Sequence, residues 1–193
     1  MGRLITIEVE PPTVDEWIVY MNRTYGDGWD KRVAAYLKLF PGDFIGRPPA
    51  EDDGLSAYPS PRSWTTLALT LTKVKNVNFA VEVAYGLLGK EVGARFESVL
   101  RAYVDESDLE AINKNPATFS EIKSEAKKIV ILAAVANDPL RHVKLLKYLA
   151  ARERDYFVIA FVMMSRENKQ KIVTDREILQ AMRDVLNVLK DYL

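Results

Sequence analysis

The sequence contains no cysteine and a single histidine, and these shortages exclude several kinds of chemistry. Without cysteine the chain has no disulfide framework, no thiol nucleophile and no cysteine-ligated metal site. Catalysis of the Ser-His-Asp type would depend on His142 alone. Because His142 has no ligand partners in the sequence, we expect a surface or helix-capping role for it. A reducing, cytoplasmic setting is the expected one.

Excess charge and long apolar runs are also missing. The chain has 27 Lys and Arg against 27 Asp and Glu, so its formal net charge is zero. This balance argues against a partner that is bound through overall charge, such as nucleic acid or a membrane surface, and leaves only a local patch open. No apolar run approaches the roughly 18–20 residues of a membrane span. The N-terminal residues lack a signal-peptide pattern.

The phosphate-loop motif G-x-x-x-x-G-K-[ST] does not occur anywhere in the chain. Gly86, Gly89 and Gly93 do not replace it; we expect them to end one helix and to allow close packing in the next. With 193 residues, of which 48% are hydrophobic, the chain is long enough for one domain, or two small ones, with a real core. The sequence thus predicts a folded protein without its own nucleotide-binding loop.

One segment predicts a strand. Leu4–Val9 alternates apolar and polar residues, and Pro11-Pro12 ends the pattern. A single strand cannot form a sheet, so either it docks on helices or its neighbours are missing. We expect the rest of the chain to be helical, which makes the predicted fold class all-α.

Helix starts are marked by short local motifs. Three capping boxes are predicted, at Thr13…Glu16, Thr118…Glu121 and Thr174…Glu177, and Asp138-Pro139 is predicted as a fourth start. Apolar residues at helical spacing predict buried faces. These faces are Val14, Trp17, Ile18, Met21; Trp64, Leu67, Ala68, Leu71; Val92, Phe96, Val99, Tyr103; and Ile178, Met182, Val185, Leu189.

A long loop, rich in proline and glycine, runs from Pro41 to Ser60. A loop of this length in a helical domain is uncommon and is often functional. It contains the acidic cluster Glu51-Asp52-Asp53, which could bind a divalent cation. The cluster lacks the alternating ligands of a calcium loop, so the pattern favours a solvated loop and predicts no metal site.

The sharpest motif is Ser60-Pro61-Arg62-Ser63-Trp64. Ser60 can cap a helix, Pro61 suits the first helical position and Trp64 begins a buried face, which leaves Arg62 in the first turn. A cation there opposes the helix dipole by roughly 0.3–1 kcal/mol. Arg62 is therefore either a solvated arginine that tolerates this penalty, or a phosphate ligand that acts together with the free N–H groups of the helix start.

Lys and Arg are in excess between Glu121 and Arg154. The cations lie three or four residues apart and would share helix faces; they are Lys123, Lys127, Lys128, Arg141, Lys144 and Lys147. The pattern is typical of a solvated face. It also leaves open a weak contact with an acidic partner or with nucleic acid.

In this order, the segments resemble the C-terminal part of MoxR-like AAA+ ATPases. That part has a strand and a tryptophan-containing helix, here Ile5–Glu10 and Val14–Trp17, and a helix that ends in Phe40-Pro41. An acidic loop follows, then the Pro-Arg-Ser-Trp signature at Pro61–Trp64. The next block matches Gly86–Tyr103, and a looser match continues through Leu145–Leu149 and Asp155–Phe157.

The resemblance implies that Arg62 is the sensor-2 arginine, which contacts the γ-phosphate of ATP with support from Ser60, Pro61 and Ser63. It implies three parts: residues 1–10 as the last strand of an ATPase core, residues 11–103 as the helical lid, and residues 104–193 as a helical extension. ATP and Mg would be the cofactors of the intact parent. We expect neither to be bound by the isolated chain.

The resemblance also implies what the chain lacks. The P-loop core would be its missing N-terminal partner, so the chain is either an excised fragment or a naturally short gene, and we expect it to be inactive alone. The parent would form a homo-oligomeric ring that couples ATP hydrolysis to remodelling of a client protein. The alternative function is a non-enzymatic helical adaptor that binds protein or nucleic acid through the basic segment after Glu121.

Overall fold

The computed structural model describes residues 9–48 and 56–183, and within these ranges the chain is helical, with no strand. The all-α prediction is therefore confirmed for this part of the chain. Except for Val9, the predicted strand Leu4–Val9 lies outside the described residues, as does Glu51-Asp52-Asp53. The helices are α1 (Val14–Tyr25), α2 (Lys31–Leu39), α3 (Pro61–Leu71), α4 (Val77–Arg101), α5 (Glu106–Lys114), α6 (Thr118–Glu121), α7 (Glu125–Asn137), α8 (Val143–Arg152), α9 (Arg154–Met163), α10 (Arg166–Val173) and α11 (Arg176–Met182).

Helix α2 lies at the centre of the fold. It packs against α1, α3, α4, α7 and α9, and the buried apolar residues form a single cluster from Trp17 to Met182. The described parts of the segments 11–103 and 104–193 therefore share a core, while their division into lid and extension stays a prediction. None of the described helices combines the length and the apolar character that crossing a membrane requires.

Most residues of the four predicted apolar faces are buried where they are described. Trp17, Ile18 and Met21 are buried in α1, where Val14 is half-buried, and all four predicted residues of α3 are buried. Ile178 and Met182 are buried near the end, whereas Val185 and Leu189 lie outside the described residues. Tyr103 is the error: α4 ends at Arg101, so Tyr103 leaves the helical register and is 75% exposed.

Helix α4 is broken at Gly89. This residue has φ 78° and ψ 173°, a conformation open essentially to glycine alone, and the chain folds back there. Tyr85 Oη donates to Glu97 Oε2 at 2.8 Å, and Arg101 Nη1 donates to Asn78 Oδ1 at 3.2 Å, so the two halves run side by side. The predicted break among these glycines is confirmed, and it produces a helical hairpin.

Of five helix starts predicted from local motifs, those at Thr13 and Ser60 are correct, and the other three predicted caps do not form. The capping box of Thr13 with Glu16 forms. Thr118 is instead inside α6 and donates to the carbonyl of Asn115, and Thr174 donates to the carbonyl of Lys171 while Asp175 caps α11. Pro139 lies in a turn, so α8 begins later, at Val143. In the two threonine cases the hydroxyl is bonded to a carbonyl of the preceding turn instead of capping the helix.

His142 is buried and not at the surface. Only 4% of it is exposed, and it occupies the N-cap position of α8 without a side-chain capping bond. Among the described residues, its Nδ1 atom has no hydrogen-bond partner. The expected surface or capping role is therefore wrong, because packing of the turn before α8 encloses the ring.

Candidate functional site

The start of α3 has the register that the sequence predicts. Ser60 is the N-cap, Pro61 occupies the first helical position and Arg62 the second. The Ser63 N–H donates to Ser60 Oγ at 3.1 Å, and the Ser60 N–H donates to Ser63 Oγ at 2.8 Å. This reciprocal pair is a capping box in which serine replaces the usual glutamate. It fixes the backbone on both sides of Arg62.

Trp64 anchors this turn in the core. It is fully buried, and its ring packs against Tyr36 and Phe96 with centroids 5.7 and 5.6 Å away. Its Nε1 atom donates to the carbonyl oxygen of Asp43 at 3.1 Å. The predicted burial of Trp64 is confirmed, and the indole holds α3 against the 3₁₀ turn Pro41–Asp43.

Arg62 is exposed, and its guanidinium has no ion pair or hydrogen bond with any described residue. The first turn of α3 contains no acidic residue. The predicted position of Arg62 in the first turn is therefore confirmed, and within the described part of the chain its side chain has no carboxylate partner. A guanidinium in the positive field of a helix start is a cation without local compensation, which favours an anion as its partner.

A groove of about 500 Å³ lies beside Arg62, between α1 and α3. Trp17 Nε1 donates to Thr65 Oγ1 at 2.9 Å, and Thr65 Oγ1 donates to the Pro61 carbonyl at 2.8 Å, so one hydroxyl joins the two helices at the base of the groove. The half-exposed Tyr20 forms part of the wall. The groove therefore offers an apolar surface next to the arginine.

Glu16 is the acidic residue that lines this groove. Its carboxylate accepts hydrogen bonds from Thr13 N at 2.8 Å and Thr13 Oγ1 at 2.9 Å. The bond from the Thr13 backbone, followed by that from its hydroxyl, lowers the pKa of Glu16. Glu16 is thus ionised at neutral pH but committed to capping α1, and it forms no ion pair with Arg62.

A cluster of three polar side chains, Tyr36, Asp43 and Arg95, contacts the start of α3 through the bond from Trp64 to Asp43. Arg95 of α4 grips Asp43 through two bonds, Nη2 to Oδ1 at 2.6 Å and Nε to Oδ2 at 3.0 Å, and Tyr36 Oη also donates to Asp43. Burial raises the pKa of Asp43. The hydrogen bonds from Arg95 and Tyr36 lower it by more than burial raises it, so the pKa lies below its usual value. The network ties α2 and α4 to the residue that receives the Trp64 indole.

The cations of the basic segment between Glu121 and Arg154 are only partly unpaired. Lys123, Lys127 and Lys144 are exposed, as expected. Lys147 is half-buried and pairs with Glu177, so the expectation is wrong for it. Two further cations are engaged: Lys128 with Glu125, and Arg141 with Glu106 and Glu110. Ion pairs therefore neutralise half of the predicted patch.

The described residues contain no group of three or more His, Cys, Asp or Glu side chains placed to hold a metal ion. The site that they do contain is the start of α3. The sequence located Arg62 but missed the groove wall and the Tyr36–Asp43–Arg95 network. Arg95 and Asp43 are 52 positions apart, and no local pattern indicates that they meet.

No family model, curated protein or solved structure matches this chain. A functional assignment must therefore come from the residues and their geometry.

Proposed function

We propose that the chain is the nucleotide-capping lid of a MoxR-like AAA+ ATPase, in which Arg62 binds the γ-phosphate of ATP. The observation that carries the proposal is Arg62 itself: an exposed arginine without a described partner, on a helix start that is rigidly held. A structural arginine would be paired and packed, whereas a residue meant for phosphate is left open until the ligand arrives.

The chemistry of the turn suits a phosphate oxygen. Pro61 has no N–H, and the Ser63 N–H is used by Ser60, so the Arg62 N–H is available beside its own guanidinium. A planar guanidinium can bind two phosphate oxygens at once. Phosphoryl transfer gains most from preorganised positive charge in a water-poor cleft. The capping box and Trp64 supply that preorganisation.

The same turn is connected to the rest of the fold. The Trp17–Thr65 bond joins α3 to α1, and the Trp64–Asp43 bond joins it to the Arg95 network. Loss of the γ-phosphate would therefore release a rigid unit rather than a loose side chain. In this proposal that release converts hydrolysis into movement of a client protein, within a ring of identical subunits.

The proposal assigns magnesium binding and bond cleavage to a P-loop core outside this chain. The isolated chain with ATP and Mg is then expected to show no turnover above blank, and little heat of binding at micromolar concentration. A phosphate-loop motif encoded upstream of residue 1 would support the assignment. Robust hydrolysis by the isolated chain would contradict it.

The adaptor alternative rests on Lys123, Lys127 and Lys144, which are exposed. Binding of nucleic acid through them would weaken steeply with salt, because each neutralised phosphate releases a counterion. A titration of the isolated chain with single-stranded and duplex DNA at two salt concentrations distinguishes the two functions. Salt-sensitive binding that Lys123→Gln/Lys127→Gln/Lys144→Gln abolishes would favour the adaptor.

A further inference from the structure

A second surface lies at the far end of α3 from Arg62. The chain leaves α3 at Leu71, passes through a connection in which Lys73, Lys75 and Asn76 are exposed, and enters α4 at Val77. The hydrogen bond from Arg101 to Asn78 brings the end of the α4 hairpin beside its beginning. Helix α3 has 11 residues at about 1.5 Å each, so its two ends are about 16 Å apart.

The surface exposes large apolar side chains. Phe79 is 53% exposed and Val77 45% exposed in the first turn of α4, and Tyr103 is 75% exposed just after the hairpin ends. Single exposed apolar residues are ordinary, but three at one end of a hairpin, two of them aromatic, are a docking feature. We call Lys73, Lys75, Val77, Phe79 and Tyr103 the hairpin-end surface.

The surface is positive at the turn that precedes α4, whereas Glu82 and Asp105 lie near Phe79 and Tyr103. Lys73 and Lys75 are exposed, and neither pairs with a described residue. The N-terminus of α4 adds the positive end of a helix dipole, with no acidic residue in the first turn. Arg101 adds little, because Glu97 neutralises it through a contact of 2.6 Å. The partner that complements the surface is therefore anionic where it meets Lys73 and Lys75 and apolar where it meets Phe79 and Tyr103.

We infer that the hairpin-end surface binds an acidic peptide segment of a partner protein that carries an aromatic or aliphatic anchor residue. The anchor packs on Phe79, Val77 and Tyr103 while its flanking carboxylates face Lys73 and Lys75. A nucleic acid fits less well, since the hairpin-end surface has only two lysines without an ion pair and the whole chain has no net charge. This inference does not depend on the nucleotide-capping function.

The probe is a phage-displayed library of random short peptides, selected on the immobilised full chain. Enriched peptides are synthesised with a fluorescein label and titrated by anisotropy. Expected are sequences in which Asp or Glu flank Leu, Phe or Trp, with affinity that falls as salt rises. Phe79→Ser is expected to weaken binding about tenfold, and Lys73→Gln/Lys75→Gln to weaken it and flatten the salt dependence.

The matched control is Leu140→Ser/Lys144→Gln, which removes an exposed apolar residue and an exposed lysine elsewhere. It is expected to bind the selected peptides like the unmodified chain, and thermal melts check that every variant is folded. The inference is overturned if no acidic-apolar peptides are enriched or if the hairpin-end variants bind them unchanged. The inference would also be overturned if the chain bound oligothymidylate instead of peptide and the hairpin-end variants lost that binding.

Discussion

Gly89 and Ala57 touch in a way that only glycine permits. A Cβ atom at Gly89 would lie 2.4 Å from the carbonyl oxygen of Ala57, well inside van der Waals contact. Ala57 belongs to the segment that leads into Ser60, and Gly46 holds the same segment by donating its N–H to the Pro59 carbonyl at 2.8 Å. The break in α4 therefore positions the approach to the Arg62 turn.

Gly89→Ala is expected to destabilise the chain by at least about 2 kcal/mol. The backbone region that Gly89 occupies disfavours alanine by about 1–3 kcal/mol, and the contact with Ala57 must open as well. Gly86→Ala is the matched control, since Gly86 is helical and a Cβ there meets nothing within 4 Å. It should stabilise by about 0.5–1 kcal/mol. Urea unfolding measures both, and equal effects would contradict the steric argument.

Short sequence motifs predicted those features of the fold that neighbouring residues determine. Ser60, Pro61 and Trp64 specify the start of α3 within five residues, so its register was predictable. The apolar periodicity of α1 and α3 likewise identified their buried faces. Burial of His142 was not predictable, because it follows from how the turn before α8 packs on distant helices.

Lys31 shows the same limit for a charged residue. The sequence presents it as an ordinary first residue of α2, yet it is 1% exposed. Its ammonium donates to Gly26 O at 2.8 Å and Asn22 Oδ1 at 3.0 Å and lies 4.0 Å from the Trp29 ring centre. These partners come from folding of the α1–α2 turn. No sequence pattern indicates a buried lysine.

Burial lowers the pKa of Lys31 from 10.5 to about 7, although Asp27 opposes the shift. Between these values the unfolded chain holds a proton that the folded chain lacks, so stability falls as pH decreases from 10.5 to 7 and levels off below. The slope is at most about 1.4 kcal/mol per pH unit. Lys31→Met removes this contribution. Its unfolding free energy should therefore fall less than that of the unmodified chain between pH 9 and pH 6.

Lys144→Met is the control for this comparison, because Lys144 is exposed. Its stability should follow the pH dependence of the unmodified chain. Lys169, whose pKa burial lowers to about 8, contributes in the same direction, so some dependence should persist in Lys31→Met. Identical curves for Lys31→Met and the unmodified chain would show that Lys31 stays protonated in the fold.

His142 provides a second test of pH-dependent stability, between neutral and mildly acidic pH. Burial, followed by the charge of Arg141, lowers its pKa below 6.5, against an opposing effect of Asp138. As pH falls through 6.5 the unfolded chain gains a proton before the folded chain does, so stability is lost in that window. His142→Leu should lose less stability between pH 7.5 and pH 5.5. The imidazole signals of the single histidine follow the titration directly by NMR.

The decisive substitution is Arg62→Ala. In the isolated chain it should change the unfolding free energy by no more than about 0.5 kcal/mol, because the exposed side chain has no described partner. In the intact ATPase it should lower ATP turnover by about 10²–10³, as loss of one preorganised charge contact does, or about 3–4 kcal/mol. Thermal melts and a phosphate-release assay give the two quantities.

Two further variants show whether that loss reports phosphate contact. Arg62→Lys should restore only part of the turnover, since an ammonium keeps the charge but loses the planar fork that binds two oxygens. Arg23→Ala removes another exposed arginine, from the last turn of α1, and should leave turnover unchanged. If Arg62→Ala in the intact ATPase alters neither ATP affinity nor turnover, Arg62 is a solvated arginine and the nucleotide-capping proposal fails, because no other described residue was assigned the γ-phosphate.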